Sequence, residues 1–136
     1  MLLKLKKTQE LIFNNIYLLK NKISSGSFGD VYICEHLQTK EEFAIKLEEV
    51  SKNEDDLRSV LREATLFEKI ANIKGIPRML WSGTEHNYDA LVMELLGNDL
   101  AAMLKVHKKL SLKTICMLAK QLIPLIEQIH EKNIIH

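Results

Sequence analysis

Along the first half of the chain, apolar and polar positions alternate in short runs separated by turn residues, the pattern of half-buried strands. In "NIYLLKNKI", Ile16, Leu18 and Ile23 stand against Tyr17 and Leu19 on the other face. "DVYICEHL", with Val31, Tyr32 and Ile33, reads as a second strand. In "EEFAIKLEEV", the third, Phe43, Ile45 and Leu47 alternate with Ala44 and Lys46. A polar break at "SKNEDD" follows, where Ser51 or Asn53 is a candidate N-cap and Glu54, Asp55 and Asp56 suit the positive end of a helix. Leu57, Val60, Leu61, Ala64 and Phe67 then recur at helical spacing and stop before Gly75 and Pro77. "RMLWSG" and "DALVMELL" are two further strands.

After "GND" the pattern turns helical. A short helix fits Leu100 to His107, and a longer one runs from near Ser111 to Glu131, about 30 Å at 1.5 Å per residue. Pro124 falls inside it, removes one backbone donor and predicts a kink. The polar positions of this helix, such as Lys113, Lys120, Glu127 and Glu131, make only a narrow stripe. Ile115, Met117, Leu122, Ile123, Leu125, Ile126 and Ile129 occupy most of the remaining circumference. Such a helix expects burial on several sides, and the strands already have a helix of their own. Its cover must come from further chain or from a partner.

Composition narrows the class. A chain of 136 residues, 46% apolar and 27% charged, is one soluble globular domain. Its net charge of +1 creates no field toward nucleic acid or membrane. In the opening "MLLKLKK", the lysines at 4, 6 and 7 interrupt any signal-peptide core, and no run approaches the roughly 18 apolar residues of a span. The two cysteines, Cys34 and Cys116, have neither metal nor disulfide spacing, so a reducing compartment, cytoplasm or nucleus, is expected. His36, His86, His107 and His130 share no spacing, which points to surface or packing roles rather than a metal site. Trp81 and Phe67 read as core.

Candidate chemistry begins at "ISSGSFGDVY", which carries Ser24-x-Gly26-x-x-Gly29. A dinucleotide-binding loop needs a helix after it to receive the pyrophosphate, and here a strand follows. A loop between antiparallel strands can instead fold over nucleotide phosphates, with glycines letting backbone amides approach the oxygens. Taken alone, the loop fits a plain hairpin turn equally well. Lys46 shifts the balance. It sits mid-strand on the face of Ala44, and Glu63 lies near the apolar side of the following helix. A lysine and a glutamate drawn out of water offset each other's desolvation only by pairing. Paired, they would fix an ammonium under the loop, where it could clamp phosphate oxygens.

The order "SSGSFGDVY", "FAIK", Glu63 on a helix, then "VMELLG" resembles the small lobe of a protein kinase. More narrowly, "KISSGSFGDVY", "GIPRMLWSG", "LVMELLG" and "LSLKTICMLAKQLIPLIEQIHEKNIIH" resemble the casein kinase I family of serine/threonine kinases, from Ile16 to His136. The resemblance implies an α+β, protein-kinase-like fold. A five-stranded antiparallel small lobe with one regulatory helix would span residues 1–92, of which 1–13 are an N-terminal extension. Residues 93–98 would be the hinge, and 99–136 the first helices of the large lobe. It further implies ATP with Mg²⁺, transfer to acidic or pre-phosphorylated Ser/Thr sites in proteins, and a monomer. Gly26 and Gly29 would be phosphate-loop glycines, flanked by Ile23, Ser24 and Ser27, with Phe28 at the tip and Val31 above the adenine. Ala44 would line the adenine pocket, Lys46 would hold the α/β-phosphates and Glu63 would orient it. Met93 would guard the rear of the pocket, besides serving as strand core, and the backbone of Glu94 and Leu96 would pair with the adenine edge.

Three positions depart from the family pattern. Ser24 replaces the first loop glycine, Ala102 stands where an acidic residue often approaches the ribose, with Asp99 nearby, and Pro124 interrupts a helix. "NIIH" ends at His136, which matches the first residue of the His-Arg-Asp motif. The catalytic aspartate and both metal-binding residues would lie beyond it, so residues 1–136 alone are expected to bind nucleotide weakly without turnover. A non-catalytic kinase-like binding module and a gene remnant are the alternatives.

Overall fold

The computed structural model describes residues 10–26, 29–51 and 58–135. Along them lie β1 (Ile12–Phe13), β2 (Tyr17–Gly26), β3 (Gly29–His36), β4 (Glu42–Glu49), α1 (Ser59–Ile70), β5 (Met79–Glu85), β6 (Tyr88–Glu94), α2 (Leu100–His107) and α3 (Leu112–Glu131). The strands form one antiparallel sheet in the order β1-β2-β3-β4-β6-β5.

The sheet has six strands where five were expected. The extra one comes from residues assigned to an N-terminal extension. The Ile16 amide donates to the Phe13 carbonyl at 3.1 Å across Asn14 and Asn15, whose φ angles are 49° and 57°. Two consecutive left-handed residues make the turn that suits the twist of a hairpin, and asparagine tolerates that region better than most side chains. Phe13 and Ile12 are thereby folded back onto Tyr17 and Leu18.

Period-two alternation sorts the sheet into two faces. On one face Tyr17, Cys34, Ile45, Leu47 and Val92 pack around Phe13, all buried. Burial pushes the Cys34 thiol up to about 12, so it behaves as a small apolar group. The two sheet edges meet over this core. The Phe13 ring lies 6.5 Å from Trp81 and edge-on to His86 at 5.3 Å. The Asn14 amide donates to the Glu85 carboxylate at 2.8 Å, and His86 Nε2 lies 2.8 Å from the Ile12 carbonyl. The sheet therefore curls until β1 and β5 are joined through side chains. His36 is likewise occupied locally, packing edge-on to Tyr17 and accepting the Thr39 amide at Nδ1.

The opposite face is covered by α1, where Val60 and Ala64 meet Leu91, Phe67 and Met93. The start of α1 differs from expectation. It begins at Ser59 after Arg58, so Ser51 is too far away to cap it, while Asn53 and the acidic 54–56 lie outside the described residues. Arg58 supplies no side-chain cap. Two strand carboxylates take over. Glu48 of β4 accepts the Val60 amide at 2.9 Å and the Ser59 hydroxyl at 2.6 Å. Asp89 of β6, 1% exposed, accepts from Arg58 Nε at 2.7 Å and from the Thr84 hydroxyl at 2.6 Å.

The last two helices fall where the periodicity predicts them. Asp99 caps α2 by accepting the Ala102 amide at 2.6 Å, and Ser111 caps α3 by accepting the Thr114 amide at 3.1 Å. α3 continues as one helix through Pro124. Neither helix has a fully buried residue; Ile115 is 50% and Ile123 66% exposed. Ala102 of α2 and Leu118, Ala119, Leu125 and Ile129 of α3 are half-buried. Leu125 rests against Gly75, whose φ of +103° excludes most other residues. No helix among the described residues is long and apolar enough to cross a membrane.

Candidate functional site

Strand register assembles the site. Val31 of β3 is opposite Lys46 of β4, and Ala44 of β4 is opposite Met93 of β6. Register partners share a face, so Val31, Ala44, Lys46 and Met93 lie together on the side covered by α1. Ala44 is buried and its small side chain leaves the surface shallow there, while Met93 packs on the core beneath α1.

Within this face Lys46 Nζ stands 2.5 Å from Glu63 Oε2. Their side chains are only 18% and 34% exposed, so each removes part of the other's desolvation cost. Loss of either partner leaves a partly buried, unpaired charge, a penalty of about 1–3 kcal/mol. Glu63 occupies one of the three ammonium donors by this hydrogen bond, and an ammonium with donors to spare is suited to phosphate oxygens.

The glycine-rich segment runs along the β2–β3 pairing next to β4. Ser24 pairs with Val31, Ser25 with Asp30 and Gly26 with Gly29. Ser24 remains paired in the strand, just after a slip of register between Lys22 and Ser24. Ile23 is half exposed at 50%. Gly29 is the position that needs glycine: its φ is +116°, and a Cβ would stand 2.5 Å from the Leu47 carbonyl oxygen. Ser27 and Phe28, expected at the tip of the loop, lie outside the described residues, as does His136.

At the other end of the face, β6 continues through Met93 and Glu94, and a stretch without regular structure, 95–99, leads to α2. Leu96 is 63% exposed. The Glu94 amide donates to the Arg78 carbonyl at 3.0 Å, and the Arg78 amide returns a bond of 3.0 Å to the Glu94 carboxylate. Asp99, considered for a ribose contact, holds the Ala102 amide as a cap.

A family model described as "Protein kinase domain" matches residues 17–136. The chain belongs to the protein kinase family.

As a kinase, it belongs to a group of phosphotransferases that use ATP and Mg²⁺. The residues present fit the nucleotide: a carboxylate-held ammonium, a small side chain at Ala44 and a glycine-tight strand pair at Gly29 converge on one face. Among the described residues, no group of three His, Cys, Asp or Glu stands close enough to hold a metal. Beside this face, Glu48, Arg58 and Asp89, passed over in the sequence, form the polar contacts at the start of α1. Their available signal was period two, which places Glu48 on the face of Lys46.

Proposed function

We propose that the chain is the ATP-binding part of a casein kinase I-like serine/threonine kinase. With the family's catalytic loop it would transfer the γ-phosphate of ATP to hydroxyls in acidic or pre-phosphorylated protein segments. The observation that carries this reading is the 2.5 Å Lys46–Glu63 pair on a face shared with Val31, Ala44 and Met93. Lys46 clamps the α/β-phosphates, Glu63 holds it in place, and Gly26 and Gly29 let the loop backbone approach. Val31 and Ala44 border the adenine, Met93 stands behind it, and Glu94 and Leu96 offer backbone groups to its edge. The narrower family rests on the segments "KISSGSFGDVY", "GIPRMLWSG", "LVMELLG" and "LSLKTICMLAKQLIPLIEQIHEKNIIH".

Phosphoryl transfer needs an aspartate to position the hydroxyl and ligands for the metal, and no His-Arg-Asp triplet occurs in residues 1–136. These residues alone are therefore expected to bind nucleotide without turning it over. Titration of the chain with a fluorescent ATP analogue tests the clamp. Lys46→Ala should weaken binding by about tenfold or more, the scale of one lost charge-assisted contact. Equal affinity of both proteins would remove Lys46 from the site, and steady-state phosphorylation by residues 1–136 would refute the division of labour.

A further inference from the structure

β4 and α1 cross the site in opposite directions, and their polar contacts form two rungs. Lys46 with Glu63 is the first. The second is Glu48, which holds the Ser59 hydroxyl at 2.6 Å and the Val60 amide at 2.9 Å. Lys46 and Glu48 are two residues apart on a strand, hence on one face and about 6.6 Å from each other along it. Ser59 and Glu63 are four apart on a helix, again on one face and about 6 Å apart. The two spacings agree to within about 0.6 Å, so both rungs form at one axial position of the helix.

That position is reinforced from the neighbouring strand. Asp89 is the register partner of Glu48 on β6. It takes the guanidinium of Arg58, the residue immediately before α1, while Thr84 bonds both, at 2.6 Å to Asp89 and 2.7 Å to Arg58. Two adjacent strand carboxylates thus fix where α1 begins.

We propose that Glu48 is a positioning residue for nucleotide binding: by setting where α1 starts over β4, it sets where Glu63 meets Lys46. The proposal rests on the kinase reading of Lys46. A residue that only caps the helix would affect stability without acting specifically on the Lys46–Glu63 contact.

Carbodiimide coupling separates these roles, because the reagent activates a carboxylate, a touching lysine attacks as its free amine to give an amide with the reagent released as a urea, and mass spectrometry locates the bond. The unaltered chain should yield a Lys46–Glu63 bond and, as an internal reference, a Lys22–Asp30 bond, whose charged atoms lie 2.7 Å apart. Glu48→Ala should lower the first relative to the second about fivefold, the scale of losing one helix cap. Glu48→Gln keeps an acceptor oxygen and should fall between; it carries the test where Glu48→Ala fails to fold. An unchanged ratio overturns the proposal, as does an equal fall of both bonds, which would make Glu48 a general stabiliser. Nucleotide titration gives a second readout. Glu48→Ala should weaken binding about fivefold when Lys46 is present and have no effect in a Lys46→Ala background. The same loss in both backgrounds overturns the proposal. If the unaltered chain binds no nucleotide, the kinase reading of Lys46 fails, while the coupling ratio still decides whether Glu48 positions the pair.

Discussion

Two residues matter here for reasons their chemistry alone does not announce. Gly29 would be scored as a phosphate-loop glycine, yet its contact with the Leu47 carbonyl already forbids a side chain. Gly29→Ala should cost about 2–3 kcal/mol in denaturant unfolding, even without nucleotide. At Asp89, burial pushes the carboxyl up, but the Arg58 guanidinium and the Thr84 hydroxyl outweigh it and hold the group below the usual carboxylate value. A carboxyl whose folded value is depressed contributes stability above its unfolded value, about 3.9, and loses it as pH falls through the folded one. Asp89→Asn should therefore cost about 1–3 kcal/mol near neutral pH. The gap from the unaltered chain should narrow when unfolding is repeated from about pH 6 to below about pH 3. Lys46 and Glu63 were legible in the sequence because a charge on an apolar face demands a partner. Asp89 was not: an aspartate beside a turn reads as solvated, and its guanidinium partner is distant in sequence.

At the scale of elements, periodicity located α2 and α3, whose starts are closed by their own Asp99 and Ser111 side chains. The beginning of α1 was hidden, since Glu48 from another element takes its Val60 amide and Ser59 hydroxyl, whereas the acidic run at 54–56 resembles a local cap. β1 escaped notice because two residues are too few for a period, although Asn14-Asn15 was a usable turn signal. α3 gives a test of its own. Pro124 leaves a turn short of one hydrogen bond, and only a narrow stripe of this helix is packed. Pro124→Ala should slow amide exchange around residues 121–128 by up to about a hundredfold, with the exchange of sheet amides unchanged. Equal slowing across the sheet would show that α3 unfolds with it as one unit.

For the whole molecule, the sheet buries a core on each face while α2 and α3 present apolar side chains to solvent. Leu112, Met117 and Ile126 are among the exposed large residues, beside Ile115 and Ile123. Residues 1–136 should therefore bind a hydrophobic dye. Ile115→Glu combined with Ile123→Glu should remove about half of that signal or more, while the unfolding midpoint of the sheet barely moves. A signal that survives both changes would place the accessible apolar surface elsewhere. The broad pattern of the helix foretold this exposure, whereas the curling of the sheet was beyond reach, because it rests on contacts between the two ends of the lobe.

Those contacts also constrain the order of folding. Asn14 and the carboxylate that receives its amide are 71 residues apart in the chain. The β1–β2 hairpin, synthesised before the rest of this sheet, therefore has no final seat until the β5–β6 turn has been synthesised. Closure of so long a loop comes late, after the local hairpins have formed. A nascent chain halted before Glu85 would hold Phe13 without Trp81 and His86 over it, an apolar ring waiting in solvent. In this lobe the first strand of the sheet is the last to be secured.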